Sequence, residues 1–440
     1  MDNKEAKAMI ESAISFSDAS ETEVLLYSGQ SALTRFANNV IHQNVSTKDH
    51  SLSVRVAFGK KVGFASTNSL EKNALRDVVM RASEIAKHQK EDPEYPGLQG
   101  PQQYAKMNCY FDKTAKLSPE DRAKAISVVV ENCKKKKLNS AGAFDFSEGG
   151  IAIGNSKGLF GFHNGTTSSF TVTVMGEDSS GWAEHNVRDV SKMDAEKVGN
   201  AAIDKAVLSK NPVAIEPGDY TVVLEANAVS ELVAFLAWIG FSALSVQEGK
   251  SFMAGKFGQK ITGENVTIYD DAFDAGTYGM PFDFEGTPKD RIALIENGVA
   301  KNVVYDLVTA KKDGKRSTGH ALPQPNIEGP MPVNLVIGTG TATLDEMIAS
   351  TKKGVLITRF WYNRVVDAKK TIITGMTRDG TFLIENGKLT RGIKNMRFNE
   401  SVLGMLSNAE MIGKTAELTT GVVTPPMKIS KFHFTGITEF

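Results

Sequence analysis

The stretch SLSVRV at residues 51–56, followed by GFA at 63–65, carries the clearest structural signal in the amino-terminal half of this chain. It matches SFTVTV at residues 169–174, followed by GWA at 181–183, at a constant offset of 118 residues. In both copies apolar residues alternate with polar ones, which is typical of a strand with one buried face. The match therefore predicts an internal repeat of two related units.

Each copy of the motif lies between two predicted helices, so we expect two helix–sheet units at the amino-terminal end. The first covers residues 1–90 and the second residues 113–212. Residues 91–112 are predicted to be a linker, because their first part, 91–103, holds three prolines and two glycines. The first helix of the second unit begins at Ser118, and Asp121 three residues later nearly completes a capping box.

Strands dominate the region from residue 213 to residue 440. LIENG occurs twice, at 294–298 and at 383–387, and Asn-Gly between apolar runs predicts a tight hairpin because both residues tolerate positive φ. The helix predicted at VSELVAFLAW, residues 229–238, is apolar nearly all round and should be interior. The predicted fold class is α+β, with two amino-terminal helix–sheet units and a β-rich, mainly antiparallel carboxyl-terminal domain.

The bulk composition excludes several classes of partner. The 51 basic side chains equal the 51 acidic ones, so a nucleic-acid partner is not expected. Two cysteines in 440 residues argue against a disulfide framework. The first ten residues lack the apolar segment of a signal peptide, and the longest apolar stretch is too short to span a bilayer. We expect a cytoplasmic protein without a membrane partner.

Several segments, taken in order, resemble one protein family. They are RFANNVIHQN at 35–44, SVRV at 53–56, GFAS at 63–66 and TGMTRDGTFLIENG at 374–387. Together they are similar to the TldD/TldE (TldD/PmbA) family of predicted zinc-dependent proteases. The resemblance covers nearly the whole chain, and it implies a role in proteolysis or maturation of unfolded peptides or modified-peptide precursors.

The residues that the family's zinc motif would require are absent. In TldD-type subunits the resemblance implies an HExxxH helix and a late cysteine as zinc ligands, with the glutamate as general base. On this chain those helix positions carry Ser230, Glu231 and Phe235, of which serine is a poor zinc ligand and phenylalanine none. Cys109 and Cys133 lie far upstream. The chain thus resembles the TldE side of the family, with no metal or cofactor of its own and zinc expected in a TldD-like partner.

Four further residues are candidates for a substrate or partner site. His320 follows a basic, turn-rich segment and is expected on an exposed loop. Arg364 ends the aromatic run FWYNR at 360–364, where an interface role competes with core packing and an ion pair to Asp367. Arg378 and Asp379 belong to a predicted turn and could instead contact a partner or a substrate backbone.

The residues leave several functions open. The favoured hypothesis is a non-catalytic subunit that pairs with a zinc-bearing chain and helps to present an unfolded peptide, by strand addition to a sheet edge. Glu231 would keep a polar role at a subunit contact, or simply face solvent or pair with a lysine. The alternatives are an active metallopeptidase with unrecognised ligands such as His320 and Glu231, a stand-alone or self-associating peptide-binding protein, and a protein acting on gyrase or DNA.

Overall fold

The computed structural model describes residues 1–419 and 421–438, and this part of the chain forms ten α-helices and nineteen strands arranged in three sheets. The elements of the amino-terminal half are α1 (Asn3–Ile14), β1 (Glu21–Ala37), β2 (Val40–Phe58), β3 (Lys61–Thr67), α2 (Lys72–His88), α3 (Asp112–Ala115), α4 (Pro119–Lys135), β4 (Asn139–Asn155), β5 (Phe160–Met175), β6 (Ser180–Val187) and α5 (Ala195–Leu208).

The elements of the carboxyl-terminal half are β7 (Gly218–Leu224), α6 (Ala226–Ile239), α7 (Ala243–Gln247), β8 (Ile268–Asp270), β9 (Ile292–Glu296), β10 (Val299–Ala300), α8 (Leu307–Lys312), β11 (Leu335–Ile337), α9 (Leu344–Ala349), β12 (Lys353–Asp367), β13 (Ile372–Glu385), β14 (Lys388–Gly392), β15 (Met396–Ser401), α10 (Val402–Ser407), β16 (Ala409–Ile412), β17 (Glu417–Thr419), β18 (Val422–Thr424) and β19 (Met427–Ile437). The predicted α+β class is confirmed.

The two repeat units share one continuous antiparallel sheet, in the order β3-β2-β1-β4-β5-β6. They meet where β1 pairs with β4, and the register places Gln30 opposite Glu148. These two residues are separated by the repeat offset itself, so an approximate twofold axis passes between them. The units are therefore two halves of one layer, with α2 packed on β3 at one edge and α5 packed on β6 at the other.

Gly63 and Gly181, which occupy matched positions of the repeat, allow α2 and α5 to pack close to the sheet. A Cβ on Gly63 would lie 2.2 Å from the carbonyl oxygen of Ala82, and a Cβ on Gly181 would lie 2.1 Å from that of Ala202. Both distances are far below van der Waals contact, so α2 and α5 can rest on the sheet only because these positions lack a side chain. The same packing in both halves supports the internal repeat.

The carboxyl-terminal region contains the other two sheets. One has the order β10-β9-β8-β11-β18-β17, and the second has the order β12-β7-β19-β15-β13-β14. Most pairs are antiparallel, and β12–β7 and β11–β18 are parallel. Both Asn-Gly hairpins form as predicted, with φ of 49° at Asn297 and at Asn386. The mainly antiparallel character expected of this region is confirmed.

Helix α6 packs between strands of both carboxyl-terminal sheets, against β12 and β7 on one side and β17 and β18 on the other. Its apolar residues Leu232, Val233 and Leu236 are fully buried. Each such side chain contributes roughly 1.5–3 kcal/mol by leaving water. This placement confirms that the apolar helix is interior, and it puts Ser230, Glu231 and Phe235 at the junction of the two sheets. No helix in the described residues is long and apolar enough to cross a bilayer.

One segment of β2, residues 40–50, forms an open sheet edge. It pairs with β1 on one side, whereas β3 pairs only with the later residues 52–58 of β2. Buried Arg122 of α4 reaches under the sheet and donates to the side chains of Thr34 at 2.9 Å and Asn44 at 3.0 Å. Arg122 therefore links β1 and β2 through their side chains, while the outer backbone groups of residues 40–50 pair with no strand in the described part of the chain.

Candidate functional site

Ser230, Glu231 and Phe235, the positions at which the resemblance predicts the family's zinc motif, point in different directions on α6. Ser230 is fully buried, and its hydroxyl donates to the carbonyl oxygen of Asn227 at 2.9 Å. Phe235 is half-buried against the apolar core, and its ring is tilted by 39° relative to that of Trp238, with 6.4 Å between the centroids. Glu231 lies on the face directed at β12. Ser230 therefore presents no group to a ligand, which also excludes it as an exposed nucleophile.

Glu231 is bound to the backbone of β12. Its carboxylate accepts a hydrogen bond from the Phe360 amide at 2.5 Å. Burial raises the pKa of Glu231 to about 8, and the nearby charge of Glu184 adds to this rise, while the Phe360 amide and the positive charge of Arg359 oppose it. Neither alternative predicted for this glutamate, a solvated edge or a lysine partner, matches this environment.

Arg359 is the cation at the centre of this site. Its guanidinium forms an ion pair with Asp379 and lies over two indole rings, 4.6 Å from the centroid of Trp182 and 5.2 Å from that of Trp361. The guanidinium of Arg378 also lies over the Trp361 ring, 4.8 Å from its centroid. The arrangement joins β6 of the second repeat unit to β12 and β13 of the carboxyl-terminal region.

Glu184 contributes a second acid from β6. Burial raises its pKa, against hydrogen bonds from Asn186 and Thr171 and the positive charge of Arg359. Glu231 and Glu184 thus both resist ionisation, because neither has a full charge partner of its own. The raised pKa of Glu231, about 8, favours its protonated form at neutral pH, and a protonated carboxyl group donates as well as accepts hydrogen bonds.

Two of the sequence candidates, Arg378 and Asp379, do lie at this site with Glu231. Their segment is not the predicted turn, however, because it lies inside β13 as a bulge opposite β12. Asp379 has φ of 53° and Gly380 has φ of 131°, and these values turn the aspartate toward Arg359. The turn-forming residues were recognised correctly, but their conformation serves a β-bulge.

His320 is not on an exposed loop, and that prediction is wrong. The side chain is fully buried, with Nε2 2.9 Å from Asp270 and Nδ1 2.9 Å from the hydroxyl of Thr318. Burial lowers the pKa of His320, and the buried cation Lys289 lowers it further. Its partners belong to a polar cluster within the carboxyl-terminal region, away from the Glu231 site, and a substrate has no access to them.

Arg364 also lies outside the site. It is exposed on β12, and Asp367, its expected partner, pairs instead with Lys370 at 3.5 Å. The aromatic run is divided between two environments. Phe360 packs in the core against Phe398 and Phe432, whereas Trp361 and Tyr362 are exposed where β12 bulges.

Ser230, Glu231 and Phe235 do not form a set of zinc ligands. Among residues 1–419 and 421–438, no three His, Cys, Asp or Glu side chains converge as a metal site would require. Cys133 is buried in the core of the second unit, and Cys109 lies 3.1 Å from the guanidinium of Arg188. Glu231 is held by Phe360 and has no metal-bound water to activate.

Sequence reasoning missed Trp182, Glu184 and Arg359. The repeat offered one signal, since GWAE at 181–184 replaces GFAS at 63–66 and thereby introduces a larger aromatic and a carboxylate at matched positions. Arg359 offered none, because only the folded chain brings it between Trp182 and Trp361.

The Glu231→Gln variant should change how stability depends on pH. The pKa of Glu231 is raised from 4.5 to about 8, so the wild type loses stability relative to the variant as pH rises from 4.5 to 8. We expect the variant to be more stable by about 1–3 kcal/mol at pH 8.5 and by almost nothing at pH 4.5, because the amide can still accept from Phe360.

Urea unfolding at several pH values would measure this difference. Glu131→Gln, on the exposed face of α4, is the matched control and should show no such pH dependence. A constant difference between Glu231→Gln and wild type across this pH range would contradict the raised pKa.

Three domain models of one protein family match successive parts of this chain. Residues 22–86 match the family model described as PmbA/TldA metallopeptidase domain 1, residues 113–210 match the central domain, and residues 217–436 match the C-terminal domain. An uncharacterized protein of Methanocaldococcus jannaschii is 30% identical over 310 residues, covering 68% of this chain and 70% of that protein.

Two further relatives extend over almost the entire chain. A protein of Haemophilus influenzae named metalloprotease PmbA homolog is 24% identical and covers 97% of this chain and 94% of its own length. The crystal structure of TldE from Thermococcus kodakarensis superposes with a TM-score of 0.90 at 22% identity, covering 98% of this chain and 99% of that one. At 22% identity, this superposition shows that the two chains share a fold.

Proposed function

This chain belongs to the PmbA/TldA metallopeptidase family, also named TldD/PmbA, and on that premise we propose that it is a non-catalytic subunit of a TldD/TldE-type metalloprotease complex. A TldD-like partner would hold the zinc ion and its cysteine ligand and supply the catalytic glutamate. The chain described here would complete the cavity and help to present an unfolded peptide or a modified-peptide precursor to the partner.

The observation that carries this proposal is the state of the zinc motif on α6. Ser230 bonds back to its own helix, Phe235 packs on the core, and Glu231 is held by the Phe360 amide. A general base without a metal-bound water has no nucleophile to generate. The rival hypothesis of unrecognised ligands drew on His320 and Glu231, and these residues belong to separate parts of the structure.

The open edge of β2, residues 40–50, supports a role in holding an extended peptide. Unpaired backbone groups on a sheet edge can form a ladder with an incoming strand. Val40, Ile41 and Val45 are exposed along this edge and offer apolar contacts to side chains of such a strand. Arg122 holds Asn44 from beneath, so the edge would not need to reorganise on binding.

The remaining parts of the proposal concern location and other partners. We propose a cytoplasmic protein, which the two free, buried cysteines support. The equal numbers of basic and acidic side chains favour a protein partner over gyrase-bound or free DNA. Self-association in place of a TldD-like partner is the second candidate, and the open β2 edge is also compatible with that arrangement.

Elemental analysis of zinc tests the non-catalytic role directly. The untagged chain, purified in metal-free buffer, should contain close to no zinc, both before zinc addition and after excess zinc is removed. Co-expression with a TldD-like chain from the same cell should give a complex whose zinc follows the partner. A value near one zinc per isolated chain would overturn the proposal, and Glu231→Ala and His320→Ala would then locate the metal.

A further inference from the structure

A cavity of about 330 Å³ lies between the sheet of the first repeat unit and the carboxyl-terminal region. Its floor consists of two cross-strand rows on β1, β2 and β3, in which directly paired residues share one face of the sheet: Glu23, Arg55 and Phe64 in the first row, and Leu25, Ser53 and Ser66 in the second. Phe284, Gln324 and Pro325 form the opposite wall. The volume lies near the lower end of small-molecule sites, roughly 300–1,000 Å³, and it suits one large side chain.

The opposite wall is held in place by hydrogen bonds within the carboxyl-terminal region. Asp283 accepts from the Ala321 amide at 2.9 Å, and the Phe284 amide donates to the Ala321 carbonyl oxygen at 3.4 Å. In the loop that follows, the Gln324 side chain accepts from the Asn326 amide at 3.1 Å. These bonds tie together the two segments that form the wall, so a ligand would meet a preformed cavity.

The charges in the lining of the cavity compensate each other. The carboxylate of Glu23 and the guanidinium of Arg55 are 2.8 Å apart, and neither side chain is more than 7% exposed. Every other residue of the lining is uncharged. A charged ligand group would therefore leave water without meeting a free counter-charge, which costs free energy. The cavity favours an uncharged group for this reason.

Ser53 and Ser66 offer hydrogen bonds on the floor of the cavity. They are paired directly across β2 and β3, Ser53 half-buried and Ser66 exposed, so a ligand can reach both hydroxyl groups. Neither side chain has a hydrogen-bond partner within the part of the chain that the structure describes. A hydroxyl group can both donate and accept. Because Phe64, Phe284 and Pro325 supply apolar surface around them, the cavity fits an apolar ligand body with one polar edge.

The second repeat unit carries an equivalent floor that is already covered. Phe64 and Ser66 match Trp182 and Glu184 at the repeat offset of 118 residues, and both pairs of residues lie on the outermost strand of their unit. In the second unit the planar guanidinium of Arg359 lies over the Trp182 ring, and its positive charge acts on Glu184. The first unit has an aromatic ring at the same position but a serine in place of the glutamate. A planar group that carries no charge is therefore the matching occupant.

We propose that this cavity binds an uncharged aromatic side chain of an unfolded peptide, and that it selects tyrosine. The ring would lie against Phe64, Phe284 and Pro325, where aromatic pairs gain attraction beyond the burial of their area. The phenolic hydroxyl group would exchange hydrogen bonds with Ser53 and Ser66. The inference rests on the proposed peptide-presenting function and names the kind of side chain that this function would recognise.

Ligand-observed NMR titration of the full chain with four blocked peptides tests this site. The probes are acetylated and amidated Gly-Ser-X-Ser-Gly, in which X is tyrosine, phenylalanine, leucine or arginine. The tyrosine peptide should bind about fivefold more tightly than the phenylalanine peptide because of its hydroxyl group. The phenylalanine peptide should bind about fivefold more tightly than the leucine peptide because of ring contacts. The arginine peptide should bind at least about tenfold more weakly than the tyrosine peptide.

Variants of the floor locate the binding site. Ser53→Ala/Ser66→Ala should reduce the preference for tyrosine over phenylalanine to below about twofold and leave the affinity for the phenylalanine peptide unchanged. Ser51→Ala lies on the same strand and face but outside the cavity, so this matched control should keep the wild-type preference. Phe64→Leu should weaken both aromatic peptides about fivefold. Thermal melting of each variant would confirm that it is folded.

Equal affinity for the tyrosine and leucine peptides, tightest binding of the arginine peptide, or no binding of any of the four would overturn the aromatic site. None of these results would decide the non-catalytic role, which the zinc content of the isolated chain tests separately. A tyrosine preference that persists unchanged in both the double serine variant and Phe64→Leu would place the recognition elsewhere on the chain and would also overturn the inference.

Discussion

Replacing Arg359 with methionine should lower the free energy of unfolding by about 2 kcal/mol at neutral pH, since it leaves the buried Asp379 carboxylate with only the more distant and more exposed Arg378, whose Nε lies 3.5 Å away. Asp379 is 7% exposed and is turned toward Arg359 by its positive φ, so it cannot move to solvent without undoing the bulge in β13. The variant also loses the contacts of the guanidinium with Trp182 and Trp361.

Arg364→Met provides the matched control, because it makes the same substitution on the same strand at an exposed position. We expect it to change stability by less than about 0.5 kcal/mol. The double variant Arg359→Met/Asp379→Asn should recover part of the loss, since no buried carboxylate is then left without its closest cation. Urea unfolding of the four proteins would measure these values, and an equal loss in Arg359→Met and Arg364→Met would contradict the central role of Arg359.

The expected loss in Arg359→Met bears on function because Arg359 joins two parts of the chain. It connects β6, which carries Trp182 and Glu184, to β12, which is bonded to Glu231 of α6. Ser230, Glu231 and Phe235 do not form a set of zinc ligands, and the positive charge near Glu231 is the guanidinium of Arg359. The site therefore holds two carboxyl groups whose pKa values are raised by burial.

Much of the fold follows from local patterns in the sequence. Alternation predicted the strands of both copies, Ser118 and Asp121 do form a capping box, and Asn297 and Asn386 do form tight hairpins. The joining of both units into one sheet was not predicted. The match at an offset of 118 residues shows that two segments have similar sequences. The pairing of β1 with β4 depends on long-range contacts that no local pattern encodes.

The site was only partly predictable for the same reason. Glu231, Arg378 and Asp379 were found from motif positions and turn chemistry, and the structure brings them together. His320 was misjudged because a polar, turn-rich neighbourhood suggests exposure, whereas its environment is set by Asp270, fifty residues earlier in the chain. A buried polar residue is recognisable only from its partners, which are distant in sequence.

Gly181→Ala and Gly63→Ala should each destabilise the protein by about 3 kcal/mol, near the upper end for an overpacked core. The added methyl group would lie 2.4 Å from the amide nitrogen of Ala206 in one variant and 2.5 Å from that of Ala86 in the other. These are backbone atoms within α5 and α2, so relief requires the whole helix to move off the sheet. Both helices are held by buried apolar side chains, and such a movement would expose them.

Gly436→Ala on β19 is the matched control, because a Cβ there meets no atom within 4 Å and its φ is not in the left-handed region. It should leave stability unchanged or slightly improved, as alanine restricts the unfolded chain more than glycine does. Similar losses in Gly181→Ala and Gly63→Ala would show that the repeat is a repeat of packing and not only of sequence. A neutral result at either position would mean that its helix can shift freely, and the two halves of the sheet would then not be held in the same way.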